Sequence, residues 1–310
     1  MDRPSAVKIL HNVFGSYRVQ GSELMFVCPA CEHHKHKLSF NIDRNVFKCW
    51  ICDYRGKSIR RAVRRFGTFS DLREWDRISG KPDITQFDFL FTEIEEEKVA
   101  VELPKEFKTL ATRKPSIADK EPINYLLSRG LSKDDIIRWK IGYCNSGPYR
   151  NRIIIPSFDD EGDLNYFISR TYRGDYYKYK NPRANKNIVF NELFVDWDKD
   201  LTIVEGVFDA IVAGNSVPIL GSTLSNDSRL IQKIVLNDTP VFIALDEDAR
   251  DKENKLIRTL LKYDIELYKI DTSGIEDIGS ISKQEFERRK KTAVRVDNTD
   301  YLLLDLLAAI

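Results

Sequence analysis

The sequence predicts a small cysteine-bearing β ribbon followed by an α/β unit whose mostly parallel sheet is covered by helices. Three observations carry this. Four cysteines fall in two tight pairs near the start, at positions 28, 31, 49 and 52. From residue 201 short apolar runs alternate with helix-like segments, the order that builds a parallel sheet. The 310 residues suffice for two or three units and at least one substantial core.

Composition sets the class. Apolar residues make up 42% and charged residues 31%, as in soluble globular chains rather than disordered ones. No apolar run approaches the ~18 residues of a membrane span, and the start MDRPSAVKIL lacks the apolar stretch of a signal peptide. A cytoplasmic location is expected. The net charge of +1 is uninformative, but its distribution is not. RGKSIRRAVRR at 55–65 carries six basic side chains and no acid, whereas EIEEE at 93–97 is nearly all acid. A basic stretch of this kind suits a nucleic-acid-facing patch, the alternative being a solvated helix face.

The cysteines follow the pattern C-x2-C-x17-C-x2-C. In a reducing compartment such pairs are metal ligands more often than disulfides. Two knuckles brought together offer Cys28, Cys31, Cys49 and Cys52 as four sulfurs at about 2.3 Å around one zinc ion, a closed and therefore structural site. LSFNI (38–42) and VFKCW (46–50) read as two strands joined by DRN, with Asp53-Tyr54-Arg55-Gly56 closing the second knuckle. So small a ribbon buries little surface, so the metal is expected to supply its folding free energy. His33, His34 and His36 lie nearby, but four thiolates already complete the shell. Trp50, Lys48, Arg55 and Lys57 place an aromatic ring and cations on or beside this sheet, the combination that stacks bases and tracks phosphates of a single strand. Phe47 is expected to pack the mini-core. Cys144 stands alone and reads as a buried apolar residue.

SIRRAVRRFG (58–67) predicts a basic helix ended by Gly67, and 68–80 a second helix with Ser70 as its cap. Residues 80–104 read as a linker. Helices are predicted over 119–130, stopped by Gly130, and over 131–143, capped by Ser132. Residues 151–172 form a hairpin around an acidic glycine turn, followed by a Tyr-, Lys- and Asn-rich stretch at 176–191. Then come strand LTIV (201–204), a helix to Gly214, strand VPIL, a helix capped by Ser225, strand VFIAL (241–245), a helix at 252–263, strand IELYKI (265–270) and a helix at about 281–292.

In such sheets ligands sit at the carboxyl ends of the strands, and here those ends are acidic. LTIV runs into Glu205, with Asp209 one helical turn on. VFIAL runs into Asp246 and Asp248, and IELYKI is followed by Asp271, Glu276 and Asp277. One such acid is commonly a helix cap. Three strands delivering them together point to a cation, and all-oxygen ligands suit magnesium or manganese. Gly206 allows close backbone approach after the first strand, and Gly221-Ser222-Thr223 offers amides to a phosphate or makes an ordinary turn.

V-E-G-V-F-D-A at 204–210, L-G-S-T at 220–223 and A-L-D-E-D-A at 244–249 resemble the Toprim domain shared by bacterial-type primases, topoisomerases and some nucleases. With C-P-x-C, K-L-S-F and K-C-W-x-C upstream, R-I-I-I-P through F-x-x-R at 152–170, and Y-K-Y-K-N-P at 177–182, the chain from about 28 to 280 is similar to the bacterial and phage replicative primases. The resemblance implies a zinc-ribbon template-binding domain with its basic helix (1–79), a linker (80–104), a basic N-terminal subdomain of the polymerase core (105–199) and a Toprim catalytic domain with a helical tail (200–310). It implies that Glu205, Asp246 and Asp248 are catalytic and hold magnesium or manganese, with Asp209 and Asp277 as further ligands. Arg152, Arg170, Lys178, Lys180 and Asn181 would meet template or incoming nucleotide. EDIGS at 276–280 departs from the D-P-D or D-V-N-D segment usual in that family. The implied activity is synthesis of short RNA primers from ribonucleoside triphosphates on single-stranded DNA, beside a replicative helicase, in the layout of the compact phage enzymes. A Toprim nuclease and a non-catalytic zinc-dependent single-strand-binding adaptor are the alternatives.

Overall fold

A computed structural model describes residues 2–52, 54–56, 58–80, 101–112, 114–174, 176–220, 228–263 and 265–296. Lys57, most of the expected linker, Gly221-Ser222-Thr223, the expected cap Ser225 and the tail beyond 296 lie outside the described residues. The chain divides into two compact units, residues 1–91 and 92–310.

The first unit holds α1 (Arg3–Phe14), β1 (Tyr17–Gln20), β2 (Glu23–Val27), β3 (His36–Asn41), β4 (Val46–Cys49), β5 (Arg55–Gly56), α2 (Ile59–Phe66) and α3 (Phe69–Ser79). Its sheet runs β1-β2-β3-β4-β5, antiparallel throughout. The expected hairpin is β3–β4, pairing Leu38 with Cys49 and Phe40 with Phe47. The ribbon does not stand alone, however. Asp2 caps α1 by accepting the Ser5 amide at 3.1 Å, and Gly21, at φ 62°, turns β1 into β2. Ile9, Leu10, Phe26, Leu38, Phe40, Val63 and Trp75 form one buried cluster that includes Cys28 and Cys49. The helices thus supply apolar burial that the hairpin alone lacks.

Two expectations change in this unit. Arg60, counted with the basic stretch, is only 3% exposed. Its guanidinium grips both oxygens of Asp76, at 2.5 and 2.8 Å, and joins α2 to α3. The cap of α3 is Thr68 rather than Ser70: Thr68 Oγ1 accepts the Asp71 amide while Asp71 accepts the Thr68 amide, a reciprocal pair that Ser70, inside the first turn, cannot make.

The second unit opens with β6 (Phe107–Thr109), α4 (Lys120–Ser128), α5 (Lys133–Arg138), β7 (Gly142–Cys144), β8 (Arg152–Phe158) and β9 (Leu164–Thr171). Its first sheet is antiparallel in the order β6-β7-β8-β9. The helix expected over 131–143 stops at Arg138, because Lys140 takes a left-handed conformation, φ 49°, and the chain enters β7. Gly142 is required there, since a Cβ would lie 2.3 Å from the Phe107 ring.

The second sheet comes from β10 (Leu201–Val204), α6 (Val207–Ala213), β11 (Ser216–Pro218), α7 (Arg229–Asn237), β12 (Val241–Ala244), α8 (Arg250–Leu261), β13 (Leu267–Lys269), α9 (Lys283–Lys291) and β14 (Val294–Val296). The strand order is β11-β10-β12-β13-β14, parallel except for β14, which the sequence reading did not anticipate. Helix α7 starts after Ser228. Ile153, Ile155, Tyr166 and Ile168 of the antiparallel sheet share one apolar cluster with Val204, Phe208, Ile211, Ala244 and Phe286. The chain leaves β10 for β11 on one side and returns to β12 on the other, so the strand order reverses between β10 and β12. That switch point is where open α/β sheets leave a crevice. Among the described residues no helix is long and apolar enough to cross a membrane.

Candidate active site and metal centres

The crevice is lined by acids. β10 ends at Val204 and β12 at Ala244, directly paired in register. The chain beyond them carries Glu205, Asp246 and Asp248, which offer oxygens within 4.8 Å of one another. A divalent cation at about 2.1 Å from each needs only slight closure of these side chains. Glu205 Oε2 is buried without a hydrogen-bond partner, an orphan that a cation would satisfy. Burial, reinforced by Asp209, Glu205, Asp277 and Asp248, pushes the Asp246 carboxyl up to about 7. The edge therefore resists full ionisation until positive charge arrives, and the donor set fits magnesium or manganese.

Asp209 and Asp277 sit outside this triad. Asp209 is buried, and its oxygens accept the amides of Gly206 at 2.8 Å and Gly279 at 2.7 Å. Burial pushes it up to about 6. Asp277 lies 3.6 Å from the Arg129 guanidinium. Asp271 is turned to its own loop, accepting the Ser273 amide, and Glu276 is exposed. The sequence reading missed two cations. Lys252 Nζ donates to Glu205 Oε1 at 2.8 Å, and Arg129 stacks over Phe208 while facing Asp277.

Four sulfurs converge in the first unit. Those of Cys28, Cys31, Cys49 and Cys52 lie within 4.8 Å of one another. The contacts Cys28–Cys52 and Cys31–Cys49 are 3.8 and 3.9 Å. A disulfide measures about 2.05 Å, whereas a tetrahedron with 2.3 Å arms has edges of about 3.8 Å. Burial pushes the Cys28 thiol up to about 12, so it ionises only against a cation. The four cysteines fit a zinc site, and His33, His34 and His36 stand outside the sulfur cluster. Beside them, an open cleft of about 700 Å³ on the sheet is lined by Lys37, Ser39, Lys48, Trp50 and Arg55. Trp50 is 63% exposed with Lys48 Nζ 4.7 Å over its ring, whereas Phe47 is buried against Phe40 and Tyr54.

The expected basic residues of the second unit divide by role. Arg152 is buried and donates to the carbonyl oxygens of Tyr177 at 2.8 Å and Lys178 at 3.5 Å. Arg170 donates to the Tyr179 hydroxyl at 2.7 Å and lies over Phe208. Asn181 accepts the Ser169 amide at 3.1 Å. Lys178 is exposed, and Lys180 reaches the Pro148 carbonyl at 2.7 Å. Arg150, Arg152, Tyr177, Tyr179 and Lys180 line an open cleft of about 880 Å³.

No protein-family model and no curated protein matches the chain. Among solved structures it is similar to the DnaG primase catalytic domain bound to ssDNA, at 21% identity and a TM-score of 0.52, over 63% of this chain and 78% of that one. It is similar to the E. coli primase catalytic core at 20% and 0.52, over 63% and 79%. A DNA primase domain from Pseudomonas aeruginosa follows at 18% and 0.50, over 63% and 78%. These neighbours are DnaG-type primases, and the likeness establishes the fold: this chain has a primase-like α/β fold with mixed sheets, to which its sequence adds a four-cysteine cluster suited to a zinc ribbon.

Proposed function

We propose that the chain is a DNA primase, a nucleotidyltransferase that assembles short RNA primers from ribonucleoside triphosphates on single-stranded DNA. The observation that carries this reading is the convergence of Glu205, Asp246 and Asp248 at the strand-order reversal of a primase-like fold. The acidic edge then acts as a Toprim site, and one of the solved neighbours was crystallised with ssDNA. In the reaction a ribonucleotide 3′-hydroxyl gives up its proton to water and its oxygen bonds to the α-phosphorus of the next triphosphate, while the bond from that phosphorus to the oxygen bridging the β-phosphate breaks and pyrophosphate leaves. Divalent cations, when bound, supply positive charge to the reacting phosphate and lower the cost of the attacking alkoxide.

Each group of residues has a task in this reading. The three carboxylates hold the cations at the crevice. Lys178 and Lys180 attract phosphates into the cleft beside the hairpin β8–β9, and Arg152, Arg170 and Asn181 keep that cleft in shape. The exposed Trp50, with Lys48 and Arg55, stacks and neutralises a template strand. A primase joins two mononucleotides with no duplex to align them, so a separate zinc-bearing unit that pins the template lowers an entropic barrier. A replicative helicase would deliver that single strand.

The test is primer synthesis by the purified chain on single-stranded DNA with labelled ribonucleoside triphosphates and magnesium, beside Asp246→Ala. Short RNA made by the wild type and not by the variant supports the proposal. DNA cleavage without RNA replaces it with a Toprim nuclease, and binding with neither reaction with an adaptor.

A further inference from the structure

Glu205 is held asymmetrically. Its Oε1 accepts the 2.8 Å bond from Lys252, while its Oε2 is buried and unpartnered. Lys252 stands in the first turn of α8, just beyond the turn that carries Asp246 and Asp248, with its side chain 41% exposed. Lys252 is near enough to Asp246 and Asp248 to feel their charge, but it bonds a single oxygen of Glu205 and leaves the other free. A carboxylate ligand is commonly fixed by a second partner on its outer oxygen, and losing such a partner costs metal affinity.

Building on the reading that this edge binds a divalent cation, we propose that Lys252 is a positioning residue that fixes Glu205 by one oxygen so that the other faces the metal. Lys252 makes no contact with the reacting phosphate in this role. It orients the ligand, and this gain outweighs the repulsion between its ammonium and the metal.

The experiment is a Mn2+ titration of the full chain, followed by electron paramagnetic resonance at pH 8 without nucleotide or DNA. Lys252→Met keeps the aliphatic stem and should weaken Mn2+ binding about tenfold. Lys252→Arg, which retains charge and donors, should recover most of that loss. The thermal midpoint of the metal-free Met variant should match that of the wild type. Unchanged Mn2+ affinity overturns the proposal, as does tighter binding, which would make Lys252 a competitor. A lowered metal-free midpoint would assign it a structural role instead. The titration involves no RNA synthesis. A wild type that makes no primer while Lys252→Met loses Mn2+ would reject the primase reading and keep this one.

Discussion

Asp209 and Gly279 lie seventy residues apart and are joined by a 2.7 Å hydrogen bond from the Gly279 amide to Asp209 Oδ1. The other carboxylate oxygen takes the Gly206 amide at 2.8 Å. One side chain thus clasps the turn after β10 to the loop that presents Asp277. The fit is close: a Cβ on Gly279 would lie 2.9 Å from Asp209 Oδ1.

This clasp should matter for stability rather than for metal binding. Asp209→Ala leaves two amide donors unpaired, that of Gly279 buried and that of Gly206 half-buried, each costing up to about 1–3 kcal/mol. Urea unfolding followed by circular dichroism should show a loss on the order of 3 kcal/mol. Asp209→Asn, which keeps one acceptor, should fall between. Wild-type stability in the alanine variant would refute the structural role.

The raised carboxyl of Asp246 makes a pH prediction. Its folded value, about 7, exceeds the ordinary 3.8 of an unfolded aspartate, so the fold favours the protonated form. The stability that this preference contributes is fully present below about pH 4 and is lost as pH rises through 7. Without magnesium, Asp246→Asn should therefore melt above the wild type at pH 8, and the difference should shrink toward pH 4. Excess magnesium at pH 8 should raise the wild type and leave the variant nearly unmoved. Equal midpoints at pH 8 would mean that the acids do not crowd one another.

Removal of zinc should loosen the first unit without erasing it. The sequence reading made the metal the main source of folding energy for a small ribbon, but Phe26, Phe40 and Trp75 build a core around it with α1–α3. Cys52→Ser should abolish stoichiometric zinc and lower the melting temperature of that unit. Its helical signal at 20 °C, an assay temperature of about 293 K, should largely persist. Complete loss of structure would restore the metal-driven view.

Trp50 offers the cleanest separation of binding from folding, because it is mostly exposed. Base–aromatic stacking is worth about 1–3 kcal/mol per base. Trp50→Ala should weaken binding of a fluorescent oligothymidylate about tenfold by anisotropy, with the melting temperature unchanged. Equal affinities would move the template face away from this sheet.

Much of the site was legible because its residues follow short apolar runs. Glu205 comes directly after one buried strand and Asp246 two residues after another, where the α/β alternation already places a ligand. The cysteine spacing was equally readable. Other features depend on partners distant in sequence. Arg60 resembled a solvated base because Asp76, its buried partner, belongs to the next helix. The apolar spacing of DDIIRWKI continues past the point where Lys140 turns left-handed, so α5 was drawn too long. Strand β14 has only three residues, VRV, and is fixed by pairing with β13 rather than by its own pattern. Lys252 carried no local signal of its bond to Glu205, 47 residues earlier.

The Tyr- and Lys-rich stretch after β9 is fastened through its main chain. Arg152 binds two of its carbonyl oxygens, Thr171 donates its amide to the Lys178 carbonyl at 3.1 Å, and the Lys180 amide reaches the Ser169 carbonyl at 2.9 Å. None of these bonds consults the identity of a side chain within the stretch. Side chains add to this hold at Tyr179, Lys180 and Asn181, whereas Lys178 is exposed, so its side chain can be exchanged while Arg152 and β9 keep the course of the chain. Replacing Arg152 would instead free two main-chain carbonyls of the stretch at once and shift the cleft wall that they build.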